Sequence, residues 1–257
     1  MYPLNIKMKM FESNSETLNK IQNFTVLAVI AGFFYFDFTT LNIGLAVISF
    51  YMYSILGLSM TMHRYYTHKS FEIHPILHWM FTFIAILTGR GSPLGWVYIH
   101  RLHHAFSDSD KDPHGPNTTG FKLFGFKPVE SKTKPNLFIV KELMTPNHLF
   151  INKYYLLIII VWLLFLGLIN LDLVYFTWVL PVFCVQLSQN CFNHFAHTHG
   201  YRNFETKDNS TNNIWLWPFI LGDAWHNNHH ANAEKSTTKI KRFEFDPVST
   251  VINLIKK

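Results

Sequence analysis

The sequence is short of charge. Asp, Glu, Lys and Arg make up 15% of its 257 residues, while 49% are hydrophobic. A soluble domain carries about a quarter charged residues, so a chain this poor in charge is expected to turn part of its surface to lipid. Cysteine is almost absent: Cys184 and Cys191 lie two helical turns apart in an apolar run. Two thiols exclude a disulfide framework and the full set of thiolates that an iron–sulfur cluster takes, which leaves a pair of buried thiols. The opening MYPLNIKMKMFESNSETLNK lacks the compact apolar core and small-residue site of a cleaved signal peptide. Solenoid repeats and low-complexity tracts are missing too. The formal charge of +6 suits an anionic membrane surface or an acidic partner. Because the basic residues are scattered and no binding motif accompanies them, nucleic acid is excluded as a partner.

A second absence is positional. No Lys or Arg stands between Ile21 and His63, or between Tyr154 and Tyr201. These gaps hold apolar runs that predict membrane spans at about 24–40, 41–61, 154–171 and 173–189. The first run is short for a span and borrows flanking residues. Another run, 76–88, is shorter still and contains His78, so it is read as interfacial or buried. The turns at 37–42 and 170–172 carry no basic residue, so the positive-inside rule puts both termini in the cytosol. The expected fold is an all-α integral membrane protein, a single domain over 1–257. Four transmembrane helices form two hairpins beneath a cytosolic helical cap, 62–153 and 190–257. The membrane is a bacterial inner membrane or one of endoplasmic-reticulum type.

What the chain has in excess is histidine, fifteen in all. The pattern His-x-x-His-His occurs twice, as HRLHH (His100, His103, His104) and HNNHH (His226, His229, His230). In a helix each residue advances about 100°, so three such imidazoles share one face. In HRYYTH, His63 and His68 are five apart and diverge by about 140° on an ideal α-helix. They converge on one metal only if the helix ends between them, and otherwise serve two. Eight neutral imidazoles exceed one ion and fit two. Imidazole suits iron, zinc, copper and nickel, so ligand type leaves the metal open. Each of the isolated histidines His74, His78, His114, His148 and His199 reads as a surface or supporting group.

The set HRYYTH, HRLHH and HNNHH, interrupted by two membrane hairpins, resembles the membrane fatty-acid desaturases of the stearoyl-CoA desaturase type, nearest their bacterial and cyanobacterial branch. The resemblance extends through MTMHRYYTHKSFEI, GSPLGWVYIHRLHHAFSDSDKDPHGP, HGYRNFETKDNSTNN and GDAWHNNHH. It implies a centre of two iron ions held by nine histidines, with an asparagine acting through water. The eight box residues carry over onto His63, His68, His100, His103, His104, His226, His229 and His230. The ninth position falls in NHFAH, giving His197 as ligand and Asn193 as the water-linked group, in preference to His194. Trp96 matches a family tryptophan lining the acyl tunnel. The implied reaction is O2-dependent removal of two hydrogens from adjacent methylenes of a long acyl chain, carried as acyl-CoA or on a membrane lipid. With no haem or cluster motif in the chain, electrons must come from a separate ferredoxin or cytochrome b5 type of donor. The residues before the second box, Trp96-Val97-Tyr98-Ile99, offer no charge to a coenzyme A headgroup, which puts a lipid-linked chain level with acyl-CoA.

Two other readings compete. The same boxes serve fatty-acid hydroxylation or oxidative decarboxylation, which start from the same C–H abstraction. A non-enzymatic membrane metal-binding or transport protein would need ionisable groups within its spans, and the runs offer little beyond Asp37 and Asp172 near their outer ends.

Overall fold

The computed structural model describes residues 4–121 and 136–257, so residues 122–135 of the expected cap and the first three residues lie outside the described residues. Among the described residues there is no β-strand; the chain is built from helices and connecting turns. Helix α1 spans Leu4–Phe33, α2 Thr40–Thr67, α3 Pro75–Leu87, α4 Pro93–Phe106, α5 Pro146–Ile169 and α6 Leu171–Phe195. Two short helices close the chain, α7 over His226–Ala231 and α8 over Pro247–Ile255.

Among the described residues three helices, α2, α5 and α6, are long and apolar enough to cross a membrane. The first expected span lies on α1, but that helix stops at Phe33 and the chain turns before α2. The turn is fixed locally: Asn42 donates from its side chain to Asp37 O at 2.8 Å, and its N–H goes to Thr39 Oγ1 at 3.2 Å, capping α2. The 76–88 run forms the 13-residue α3, too short to span. Pro75 starts it and His74 caps it.

The polar groups of the apolar helices are spent on one another, as a membrane interior requires. Tyr53 Oη donates to Thr177 O at 2.9 Å, Trp178 Nε1 to Leu87 O at 2.9 Å and Tyr175 Oη to Val29 O at 3.1 Å. These bonds tie α1, α2 and α3 to α6 around a core that includes Tyr53, Met62, Phe176, Trp178 and Val182. The opposite face of α5 is bare: only 22% of its apolar window is buried, and Leu168 is 89% exposed. Cys184 and Cys191 are free and half-buried, less enclosed than the sequence reading expects.

From Tyr53 to Thr67, α2 winds as a π-helix. Its hydrogen bonds run i to i+5, and the last of them, His68 N–H to His63 O at 3.1 Å, joins the two histidines of the first box. Long π-helical stretches are rare and concentrate at functional sites.

Candidate metal centre

Four pieces of chain bring imidazoles together. The π-helical end of α2 supplies His63 and, at its cap, His68. Helix α4, started by Ser92 and Pro93, supplies His100, His103 and His104. The turn closing α6 supplies His197, and α7 supplies His226, His229 and His230. These nine histidines fall into two groups with the reach to hold a metal ion: His63, His68, His100, His104 and His229, and His103, His197, His226 and His230.

This arrangement answers two points that the sequence leaves open. His63 and His68 reach one group: the helix ends between them at Thr67, with His68 at its cap, and the wide π turn brings the two rings to one side. Each His-x-x-His-His triplet does share a face, yet it is divided. His100 and His104 face the first group and His103 the second, while His229 joins the first and His226 and His230 the second.

The rings meet through their ε nitrogens. His63 and His229 stand 2.9 Å apart Nε2 to Nε2, His229 and His104 3.1 Å, His104 and His100 3.1 Å, and His197 and His226 2.9 Å. Metal–imidazole bonds of about 2.0–2.1 Å put neighbouring ligand atoms about 3 Å apart. Behind several rings stands a carboxylate. Nδ1 of His103 lies 3.0 Å from both oxygens of Asp112, that of His197 3.0 Å from Asp108, that of His230 2.8 Å from Asp208 and that of His63 3.3 Å from Asp223. Such a partner accepts a hydrogen bond from Nδ1–H, which keeps the proton on Nδ1 and leaves the Nε2 lone pair pointing inward. Lone pairs facing one another at this distance repel, and a cation between them removes the repulsion. His68 Nε2 and His230 Nε2 are also buried with no hydrogen-bond partner. The donor set thus fits metal.

Electrostatics agree with that fit. Burial holds His100, His103, His104, His226 and His229 well below the ordinary imidazole value, and neighbouring imidazoles lower them further. His68 is pushed down to about 2 by burial and by His63. These rings are neutral at pH 7 and free to ligate. For Asp112, Asp208 and Asp223 burial works toward the neutral acid, but bonds and charge from His103, His230 and His63 outweigh it and hold them ionised.

Trp96 lies at the junction of this centre and the apolar core. It stacks on His100 with ring centroids 4.7 Å apart and 20° between planes, and packs against the buried cluster of α2, α3 and α6. Asn193 is half-buried on the last turn of α6, ahead of His197, while His194 faces Phe121 and Phe195 outside both groups. His114 takes the supporting place and not the surface one: it stacks on His103 at 4.2 Å and shares a third cluster with His103 and Asp112. His78 and His148 join Tyr65 and Tyr66 in a separate hydrogen-bonded set.

The sequence reading does not single out the four carboxylates, although three motif blocks contain them: SDSDKDPH holds Asp108 and Asp112, the polar stretch holds Asp208 and GDAWHNNHH holds Asp223. It also passes over the two asparagines inside HNNHH. Asn227 accepts from the N–H groups of Asn203 and Phe204 at 2.8 and 2.9 Å, and Asn228 donates to Glu244 and Thr238 O, both at 2.9 Å. These bonds pin α7, a helix too short to hold its own orientation.

A family model described as fatty acid desaturase matches residues 38–244. The chain is 30% identical over 233 residues to the sn-1 stearoyl-lipid 9-desaturase of Anabaena variabilis, covering 86% of this chain and 82% of that one. It is 30% identical over 257 residues to Delta-9 acyl-lipid desaturase 1 of Arabidopsis thaliana, with 93% and 81% covered. It is 27% identical over 252 residues to the hex-5-enoyl-(acyl-carrier protein) acetylenase of Moorena producens, with 89% and 78% covered. The matched family span contains all nine grouped histidines, and the chain belongs to the fatty acid desaturase family, as an oxidoreductase.

Proposed function

We propose that the chain introduces a double bond into a long saturated acyl chain carried by a membrane lipid, with O2 as oxidant and electrons from a separate ferredoxin or cytochrome b5 type of donor; acyl-CoA is the alternative carrier. The observation that carries this reading is the pair of buried imidazole groups, the first of them beside Trp96, where the apolar core reaches the polar centre. The desaturases of Anabaena and Arabidopsis named above, both called lipid desaturases, and the uncharged Trp96–Ile99 stretch favour a lipid carrier over coenzyme A.

Two iron ions would be held by His63, His68, His100, His104 and His229 and by His103, His197, His226 and His230, with Asn193 reaching the second through water. Bound there, they would supply the activation of O2 that an unactivated C–H bond requires. The protein's own part is positional. The four carboxylates fix tautomer and ring direction before any metal arrives. Burial keeps the imidazoles unprotonated and excludes bulk water. Trp96 offers a flat apolar wall on which an acyl chain can lie next to His100. A shell of imidazole without thiolate also withstands a strong oxidant, since neither cysteine is among the grouped residues.

The whole chain, 1–257, acts as one domain. Helices α1, α2, α5 and α6 cross the bilayer as two hairpins, and both termini and the metal centre lie in the cytosol. The absence of Lys and Arg from residues 21–63 and 154–201, which hold most of these helices, supports that orientation.

Expression in cells lacking desaturation, followed by gas chromatography with derivatisation to locate double bonds, tests the reading. A new monoene that disappears in His229→Ala is expected. New hydroxy acids or terminal alkenes with an unchanged monoene profile would overturn it.

A further inference from the structure

Between Lys207 and Lys235 the chain has no Lys or Arg. In that interval, just before the third histidine box, three short helical turns run over Ile214–Leu216, Trp217–Ile220 and Leu221–Ala224. Their outer face is apolar and bare: Trp215 is 85% exposed, Ile214 55% and Phe219 54%, with Phe245 beside them at 54%. None of these side chains takes part in the metal groups.

Two observations say what covers this face. Tyr51, inside the 41–61 apolar run of α2, donates its hydroxyl to Pro218 O at 3.0 Å, which holds the segment against a helix long and apolar enough to span a membrane. The carbonyls there are also taken by side chains. Phe245 O accepts from Trp217 Nε1 at 2.8 Å and from Trp225 Nε1 at 3.0 Å, and Gly222 O accepts from Thr238 Oγ1 at 2.6 Å. A surface turn in water needs no such partners, whereas backbone carbonyls beside hydrocarbon do. Exposed tryptophan and phenylalanine, with Lys241 and Arg242 just before Phe245, is the composition of the boundary between headgroups and acyl chains.

We propose that residues 214–219, with Phe245, form a wedge inserted in the cytosolic leaflet of the bilayer, reaching from the headgroup–acyl boundary toward the depth of Tyr51. It is a membrane contact separate from the spanning helices and runs directly into His226. The wedge carries the third box to the depth at which lipid acyl chains begin, so a lipid-linked substrate meets α7 at the membrane edge. This rests on the reading of α2 as a spanning helix, and a position on α2 tests that reading separately.

With Cys184 and Cys191 replaced by alanine, single cysteines at Trp215, Phe219, Val47 and Lys207 are spin-labelled in the full chain in phosphatidylcholine/phosphatidylglycerol vesicles. Power saturation then compares access of O2, which concentrates in lipid, with access of a water-soluble nickel chelate. Val47, 49% exposed on α2, reports the bilayer, and the exposed Lys207 reports water. Labels at Trp215 and Phe219 are expected to give O2-to-nickel ratios close to Val47 and several-fold above Lys207. Ratios equal to Lys207 while Val47 stays in lipid would overturn the wedge alone. A nickel-accessible Val47 would overturn the spanning reading and the wedge with it. Where the labelled variants do not fold, quenching by brominated lipid decides: the natural chain should lose more tryptophan fluorescence than Trp215→Phe, and equal quenching would overturn the proposal.

Discussion

The two histidine groups are built from the same ring in nearly the same number, yet they are supported differently. In the group of His103, His197, His226 and His230, three rings have a carboxylate at Nδ1, namely Asp112, Asp108 and Asp208. In the group of His63, His68, His100, His104 and His229, among the described residues only His63 does, and its Asp223 is shared with Arg64. The carboxylates of the second group come from the polar stretches at 108–112 and 208. Asp108, in left-handed backbone at φ 61°, also accepts from Asn209 N–H at 2.7 Å and so ties those stretches together. The first group leans instead on the apolar side, with Trp96 stacked on His100. A carboxylate behind an imidazole raises its basicity and fixes its aim. The contrast therefore separates a tightly held site from one open to the acyl chain.

Removing a ligand from either side is the largest test of this contrast. His229→Ala in the first group and His230→Ala in the second should each abolish the monoene product, because the proposed function uses both groups. Iron analysis of the purified variants should differ: His230→Ala leaves the weaker first group, while His229→Ala leaves the better supported second. Equal iron retention in the two variants would break the asymmetry.

The carboxylates come next. Asp208→Asn should weaken metal affinity by about 10–100-fold with little change in folding, since its main buried partner is His230. Asp223→Asn should behave otherwise, because Asp223 also faces the buried Arg64, whose second partner is Asp246 at 2.8 Å. Breaking a buried ion pair costs about 3–5 kcal/mol, so this variant should lose stability before it loses metal. Titration of iron into the apo-proteins and urea unfolding in detergent distinguish the two. A purely metal-affinity defect in Asp223→Asn would show that Arg64 needs only Asp246.

How much of this was legible in the sequence follows from which forces act locally. HRLHH and HNNHH can be read directly because α-helical spacing gathers their rings on one face, and the basic-residue gaps mark the apolar helices because charge avoids lipid. The partition of each triplet was not legible, since it depends on where α2 and α6 deliver His63, His68 and His197 in space. The meeting of His63 and His68 is legible only as one of two alternatives, since it depends on the helix ending at Thr67 and on a π-helical winding that the spacing does not reveal. The carboxylates were hidden for a different reason: Asp108 and Asp208 lie 89 and 22 residues from the histidines they support.

Acid sensitivity comes last, and its sign follows from burial. Unfolded histidines titrate near 6.5, and in the fold His100, His104, His226 and His229 are held well below that by burial. Between the folded values and 6.5 the unfolded chain binds more protons than the folded one, so unfolding gains as pH falls. Stability of the apo-protein is therefore complete above about pH 6.5 and declines below it, by up to ~1.4 kcal/mol per pH unit for each such ring. The carboxylates oppose this on their own side: Asp112 and Asp208 pull His103 and His230 upward against burial. Asp208→Asn should accordingly steepen the decline between pH 6.5 and 5.5, because His230 then resists protonation in the fold more strongly. Urea midpoints of the apo-protein in detergent at pH 7.5, 6.5 and 5.5 measure it. A midpoint independent of pH would mean that the rings take up protons while folded, and that burial does not hold them neutral.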